Sequence, residues 1–389
     1  MSRSPLVNIL VALLLVLVAA TVIGLVLLWP GSRTIERPES LASPKTEAAR
    51  VTGVREEPCG PATDAICARV TAELKSGPDN GRRVTFTVAA TETVIGIGDR
   101  IRVYKNPATD APLGVRVDPY SFSDFERRAP MAWLAALFAG LVLLTGRWQG
   151  LRALVGLAAS LLVLILFVIP AILHGEEPTT VAFVGAMAVM LATIPVTHGF
   201  GAKTVAACLG TATSLLLTLV LADMFIDFTH LSGVSSEEAV FLRATQEDLS
   251  LTGLLLAGML IAALGVLDDL TVSQASTVLA LRRANRALGF GGLFRGALAV
   301  GHDHIAATVN TLVLAYAGAS LPVLLVFGLA DTPLLDAVNF ETVAEAVVAT
   351  LVGSIGLILA VPVTTSLAAL LALHLDESRL ADAHAGHAH

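Results

Sequence analysis

Long apolar runs separated by short polar breaks make up most of the chain, and one extended polar stretch interrupts that rhythm. Leu6–Trp29 is the first run. It is long enough to cross a bilayer, which takes about 20 residues, and it exceeds the ~7–15-residue apolar core of a signal peptide. It reads as an uncleaved anchor. Seven further runs lie near Met131–Thr145, Leu151–Leu173, Thr179–Val196, Thr204–Asp223, Leu251–Leu267, Ala297–Leu329 and Val343–Leu373. This pattern predicts an all-α polytopic membrane protein with about 8 transmembrane helices.

The interruption runs from Pro30 to Arg128. It is polar, rich in Gly and Pro, and holds no spanning run. "ICARVTAEL", "RRVTFTVAA" and "DRIRVYK" show partial period-two alternation, the mark of strands. "SGPDNG" (Ser76–Gly81) between the first two is a turn signal. A small β-rich domain of about five barrel-like strands is expected after the first helix. The organisation is then an anchor over residues 1–29, a β-rich domain over 30–128, a seven-helix membrane domain over 129–375, and a disordered tail over 376–389. That tail carries His384, His387 and His389.

Composition supports the membrane reading. Of 389 residues, 55% are hydrophobic and 15% charged, and the mean hydropathy of +0.76 is far above that of a soluble domain. A net charge of −7 gives no reason to expect nucleic acid as a partner. Basic residues set the orientation. Arg3, Arg147, Arg152, Lys203, Arg282, Arg283, Arg286, Arg295 and Arg379 all fall on one side of an eight-span count. The opposite short loops hold "HGEEP", Asp223–Asp248 with only Arg243, and "DTPLLD". Both termini are therefore expected in the cytoplasm of a bacterial plasma membrane, with the β-rich domain outside. In that oxidising location Cys59 and Cys67 are either a local disulfide or two free thiols.

Ionisable groups inside hydrocarbon usually face a protein interior or a water path, and two clusters qualify. The first is "ALGVLDDLTVSQAS", Ala263–Ser276. The 33 residues from Leu249 to Leu281 contain no basic group. A straight helix of that length would run about 50 Å, so a bend or break is expected near Asp268–Asp269. Asp269, Ser273 and Ser276 then fall on one helical face, spaced to bind a cation or relay a proton. Alternatively, Asp269 merely caps the second helical segment. Asp268 reads as an ordinary solvated or capping acid.

The second cluster is "GHDHIAATVNTLVLAYAGASLP", Gly301–Pro322. Asp303 and Asn310 share a face, with Thr311 beside them. Counting from Arg295, they sit about 12 and 22 Å along the helix. Gly318 and Pro322 suggest a broken helix, a common way to build a transport site. The other reading is interhelical packing by Asn310 and Thr311, with Asp303 at the membrane interface. His302 and His304, two apart, point to different faces, so no metal site is expected there. In the last span Pro362 predicts a kink, and Glu341 and Glu345 read as interface residues. Pro195, His198 and Gly199 read as a turn. Cys208 is most simply a buried small residue. No HExxH, GxSxG or P-loop pattern occurs, so no enzyme activity and no cofactor are expected.

At the two clusters the sequence resembles the YibE/F family of bacterial integral membrane proteins. The matching pieces are "GVLDDLTVSQAS", "GHDHIAATVNTLVLAYAGASLP" and "NFETVAEAVVATLVGSIGLILAVPVTT". The resemblance covers roughly Met131–Leu373. The family's Asp, Ser and small hydroxyl fall on Asp269, Ser273 and Ser276. Its Gly-x-Asp and Asn-Thr fall on Gly301, Asp303, Asn310 and Thr311. His304 departs from the commoner pattern. The resemblance implies a multipass protein with a transporter or permease role. The expectation is a secondary transporter in which Asp269 and Asp303 couple ions or protons and Ser273, Ser276, Asn310 and Thr311 line the path. The alternative is a non-transporting scaffold or sensor whose outer domain binds a ligand or envelope component. Expected partners are the lipid bilayer, a small solute or ion, and a second copy or another membrane protein.

Overall fold

A computed structural model of the protein describes residues 5–31, 45–59, 66–89, 94–106, 118–246 and 248–374. The His-containing tail lies outside them. The chain divides into two compact units. One comprises Met1–Ile35 with Leu143–His389, the other Glu36–Val142.

The smaller unit is a single antiparallel sheet of β1 (Thr46–Pro58), β2 (Ile66–Leu74), β3 (Arg83–Ala89), β4 (Arg100–Lys105) and β5 (Tyr120–Phe125), in the order β3-β2-β1-β4-β5. Alternation builds its one apolar face. Val84, Phe86 and Val88 of β3 are buried, as are Val70, Ala72 and Leu74 of β2. The central strand β1 was the least legible, because "TEAARVTGVREEP" alternates weakly and carries a register shift between Val51 and Gly53. The sheet is curled but open. Its edges β3 and β5 are bridged where Thr87 N donates to Asp118 Oδ2 at 2.9 Å. The β2–β3 turn is closed by Gly81 N donating to the Leu74 carbonyl at 2.8 Å, with Gly77 and Gly81 both at positive φ. A disulfide joins Cys59, at the end of β1, to Cys67 of β2, with Cα atoms 4.9 Å apart.

Tyr120 anchors the sheet's core. Its ring is buried, and its hydroxyl donates to Asp79 Oδ2 at 2.7 Å. Burial and that hydrogen bond to a carboxylate push the phenol up to about 12.

The larger unit is helical. It contains α1 (Pro5–Leu27) and part of α2 (Arg128–Val163), which continues through a π-helical turn at Leu164–Val168 into α3 (Ile169–Leu173). Then come α4 (Pro178–His198), α5 (Ala202–Thr229), the short α6 (Glu237–Thr245) and α7 (Leu251–Ala284). α8 (Phe290–Ala319), α9 (Leu321–Leu329), the short α10 (Leu334–Asn339) and α11 (Glu341–Leu373) complete it. Among the described residues six helices are long and apolar enough to cross a membrane, or seven if the pair α8–α9, bent by 59°, is one span. The expected eighth requires dividing the 46-residue run Arg128–Leu173. Arg147 interrupts it with φ 48° and ψ −124°, a conformation no helix contains.

Three local expectations need correction. α7 is one unbroken helix of 34 residues through Asp268 and Asp269, because a hydrogen-bonded helix can outrun the bilayer without breaking. Asp269 therefore caps no helix. Pro195 lies inside α4, and only Gly199, at φ 77°, turns the chain.

The bundle core is built from close approaches. Lipid is as apolar as Leu, so helices associate through small residues and interhelical hydrogen bonds rather than hydrophobic burial. α5 and α11 meet at two reciprocal points, Gly210 against Thr364 and Gly356 against Thr218, where a glycine Cβ would collide with the facing threonine. Each helix offers Gly and Thr eight residues apart, so the pair is antiparallel. Thr211 Oγ1 and Thr271 Oγ1 join α5 to α7 at 2.6 Å.

Gln274 of α7, 2% exposed, reaches two more helices. Its Nε2 donates to the Ala297 carbonyl of α8 at 2.7 Å and to Thr365 Oγ1 of α11 at 2.8 Å. Gly301 makes room for it, since a Cβ there would lie 3.1 Å from Gln274 Nε2 and 2.6 Å from Val361 Cγ1. At the far end, Glu341 and Glu345 pin the loop before α6. Glu341 Oε1 accepts from Ser232 N and Gly233 N at 2.6 and 3.0 Å, and Glu345 accepts from Ser235 Oγ.

Two outcomes are expected. Gln274→Leu removes both bonds and should cost about 1 kcal/mol for each, lowering the melting temperature of the full chain in detergent; an unchanged melting temperature would remove Gln274 from this role. In the second, the ultraviolet tyrosinate titration of wild type minus Tyr120→Phe should show a midpoint near 12. The folded pKa lies above the ordinary ~10, so this stabilisation is complete below ~10 and lost as pH rises through 12. A midpoint near 10 would contradict it.

Candidate functional site

Between the second half of α2, α4 and α7 lies a cavity of about 200 Å³. Its lining is mostly apolar and small. Ser160 comes from α2, Leu164 and Val168 from the π-helical turn, Thr193 from α4, and Gly265, Asp268 and Asp269 from α7. Local geometry explains why a space exists. α4 touches both α2 and the π-helical turn tightly beside it, where a Cβ on Gly156 would sit 3.3 Å from Thr197 Cγ2, and one on Gly185 would sit 2.5 Å from Val168 Cγ2. By contrast, a Cβ on Gly265 would meet nothing within 4 Å. A π-helical turn widens the helix by one residue and recurs at functional sites; here two of its residues line the cavity.

Asp268 supplies the chemistry. It lies near the middle of α7, about 26 Å from Leu251 and 21 Å from Arg282 by helix rise. Its Oδ2 accepts from Thr193 Oγ1 at 3.2 Å. Its Oδ1 is buried and has no hydrogen-bond partner among the described residues. An unpaired carboxylate oxygen in low dielectric is costly and calls for a proton or a cation. Asp269, one residue and about 100° further round the helix, is exposed at the same cavity. The arrangement can hold a small cation or exchange a proton between a half-buried and an exposed carboxyl group.

The remaining expected residues divide. Ser273 and Ser276 follow Asp269 on one face of the continuous helix and are half-buried. They do not line the cavity, and Ser276 Oγ donates to the Val272 carbonyl at 2.7 Å. Asp303, Asn310 and Thr311 of α8 are exposed and also absent from the lining. Ile305 and Val309 of α8 pack on the bundle core, and Asp303 and Asn310 point the other way. At the cavity Asp269 stands beside Asp268, and Asp303 is not among the lining residues. Asp268, read from sequence as a solvated or capping acid, is the more enclosed of the pair. The sequence signal for its partner was weak, a single Thr193 in "MLATIPV". Among the described residues no cluster of three His, Cys, Asp or Glu could hold a metal ion.

Comparison with known proteins adds one finding. A family model described as YibE/F-like protein matches residues 134–374, which include every residue of the cavity and all of α4–α11. No curated protein and no solved structure matches the chain. With its long apolar helices and that match over more than half its length, this multipass membrane protein belongs to the YibE/F-like family.

Proposed function

We propose that the protein is a secondary transporter or permease for a small cation or proton-coupled solute, working at the Asp268–Asp269 cavity. The observation that carries the reading is half-buried Asp268, whose buried Oδ1 has no partner among the described residues, facing a cavity between three membrane helices. Groups of this kind inside a membrane mark ion and proton paths. In this reading Asp268 takes the proton or ion, Thr193 orients it, Asp269 exchanges it at the mouth, and Ser273 and Ser276 extend the polar strip along α7. No enzymatic step is involved. An ion gradient or a partner protein drives the cycle.

The same reading divides Arg128–Leu173 at Arg147 into two spans, which gives eight in all. It places both termini in the cytoplasm of a bacterial plasma membrane and the disulfide-bearing sheet outside, following the basic residues of the short loops. The alternative, a scaffold or sensor, puts the activity in that sheet. Deleting residues 30–128 separates the two, because a transporter core retains flux and a scaffold loses all activity.

The site is tested in reconstituted vesicles with proton flux, read by a pH-sensitive dye, and a panel of monovalent and divalent cations. Asp268→Asn should reduce flux at least tenfold at normal membrane levels, and Gly265→Leu, at a lining position where an added Cβ meets nothing within 4 Å, should do the same. Asp303→Asn should leave flux near wild type. Wild-type flux in Asp268→Asn would remove the coupling role, and loss of flux only in Asp303→Asn would move the path to α8.

A further inference from the structure

α8 presents a polar seam to the outside of the bundle. At 100° per residue, Asp303 and Asn310 lie about 160° and 140° round the helix from Ile305, which faces the core. Asp303, Ala307, Asn310, Leu314 and Ala317 follow one another along α8 at spacings of 4, 3, 4 and 3, and all five are exposed. That is the heptad spacing by which one helix packs along another. The flank is otherwise apolar, with Leu314 63% exposed.

The polar members make lipid a poor neighbour. Asn310 sits about 22 Å along the helix from Arg295, at a depth where hydrocarbon offers no hydrogen bond. Among the described residues its amide has no partner in this chain. Apart from the Trp133 indole, the apolar stretch Met131–Leu144 holds no side-chain donor or acceptor to offer such an amide.

A second copy supplies what is missing. Two-fold symmetry about the membrane normal brings identical residues together at equal depth, and an amide carries both a donor and an acceptor. Asn310 of each copy then donates to and accepts from the other. Ala307 and Ala317 allow the two helices to approach closely, and Leu314 packs between them. Asp303 falls one heptad nearer the Arg295 end, flanked by His302 and His304, whose ring nitrogens can hydrogen-bond to it across the seam. We propose that α8 is a self-association surface, on which a second copy of this chain docks in parallel along Asp303–Ala317 with paired Asn310 amides at its centre. The proposal is independent of the transport reading.

Cysteine cross-linking of the full chain in its native membrane tests it, in a Cys208→Ala background that keeps the Cys59–Cys67 disulfide. Oxidation with copper phenanthroline should give a band at twice the chain mass for Ala307→Cys and for Leu314→Cys. It should give none for Val309→Cys, which faces the core. Adding Asn310→Leu to Ala307→Cys should cut the cross-linked fraction several-fold, and adding Asn310→Gln should preserve most of it. Absence of the dimer band from both seam cysteines at normal membrane levels overturns the proposal, as does equal cross-linking of Val309→Cys. An intramolecular bond between Ala307→Cys and Leu137→Cys would assign the seam to the chain's own helix instead, and unchanged cross-linking in Asn310→Leu would remove the amide from the interface.

Discussion

Gln274 ties α7, α8 and α11 together with one side chain. Its amide nitrogen is buried and donates to Ala297 and Thr365. In a bilayer the apolar effect does little to hold helix against helix, so short polar bonds and close backbone contacts carry the packing. The reciprocal Gly–Thr contacts of α5 and α11 follow the same logic. So does the Thr211–Thr271 pair. Together these contacts fix α7 against α5, α8 and α11, and that fixes where Asp268 stands.

The same constraint sorts the polar residues by what they face. Asp268 is held inside, against Thr193 and a cavity that small residues leave open. Asn310 is held outside, because α8 turns Ile305 and Val309 inward. Both lie on apolar helices and look alike in sequence, yet one faces a cavity inside the bundle and the other faces outward. The bend of 59° between α8 and α9 carries α9 away from the line of α8. The β-rich unit obeys a different rule. It buries one face of its sheet, anchored by Tyr120 and its bond to Asp79, and staples β1 to β2 through Cys59 and Cys67.

The sequence by itself determined the coarse organisation. Runs of apolar residues identify membrane helices, since a span needs about 20 of them whatever its neighbours. Period-two alternation identified β2, β3 and β4, and the Ser76–Gly81 turn between the first two. The glycine and proline near Ser320 marked the break between α8 and α9. The acids of "LDDLTVSQAS" stood out because hydrocarbon tolerates few of them.

Only the tertiary structure decided which polar group faces which neighbour. Sequence spacing puts Asp269, Ser273 and Ser276 on one face, but it does not say which face meets α4. Asp268 won that position through the rotation of α7, which Gln274 and Thr271 set from other turns of the helix. Gln274 itself is an unremarkable residue in the sequence, because its partners are a backbone carbonyl and a threonine hydroxyl 23 and 91 residues away. A helix fixes the angle between its own side chains, and only contacts with other helices fix the angle of the whole set.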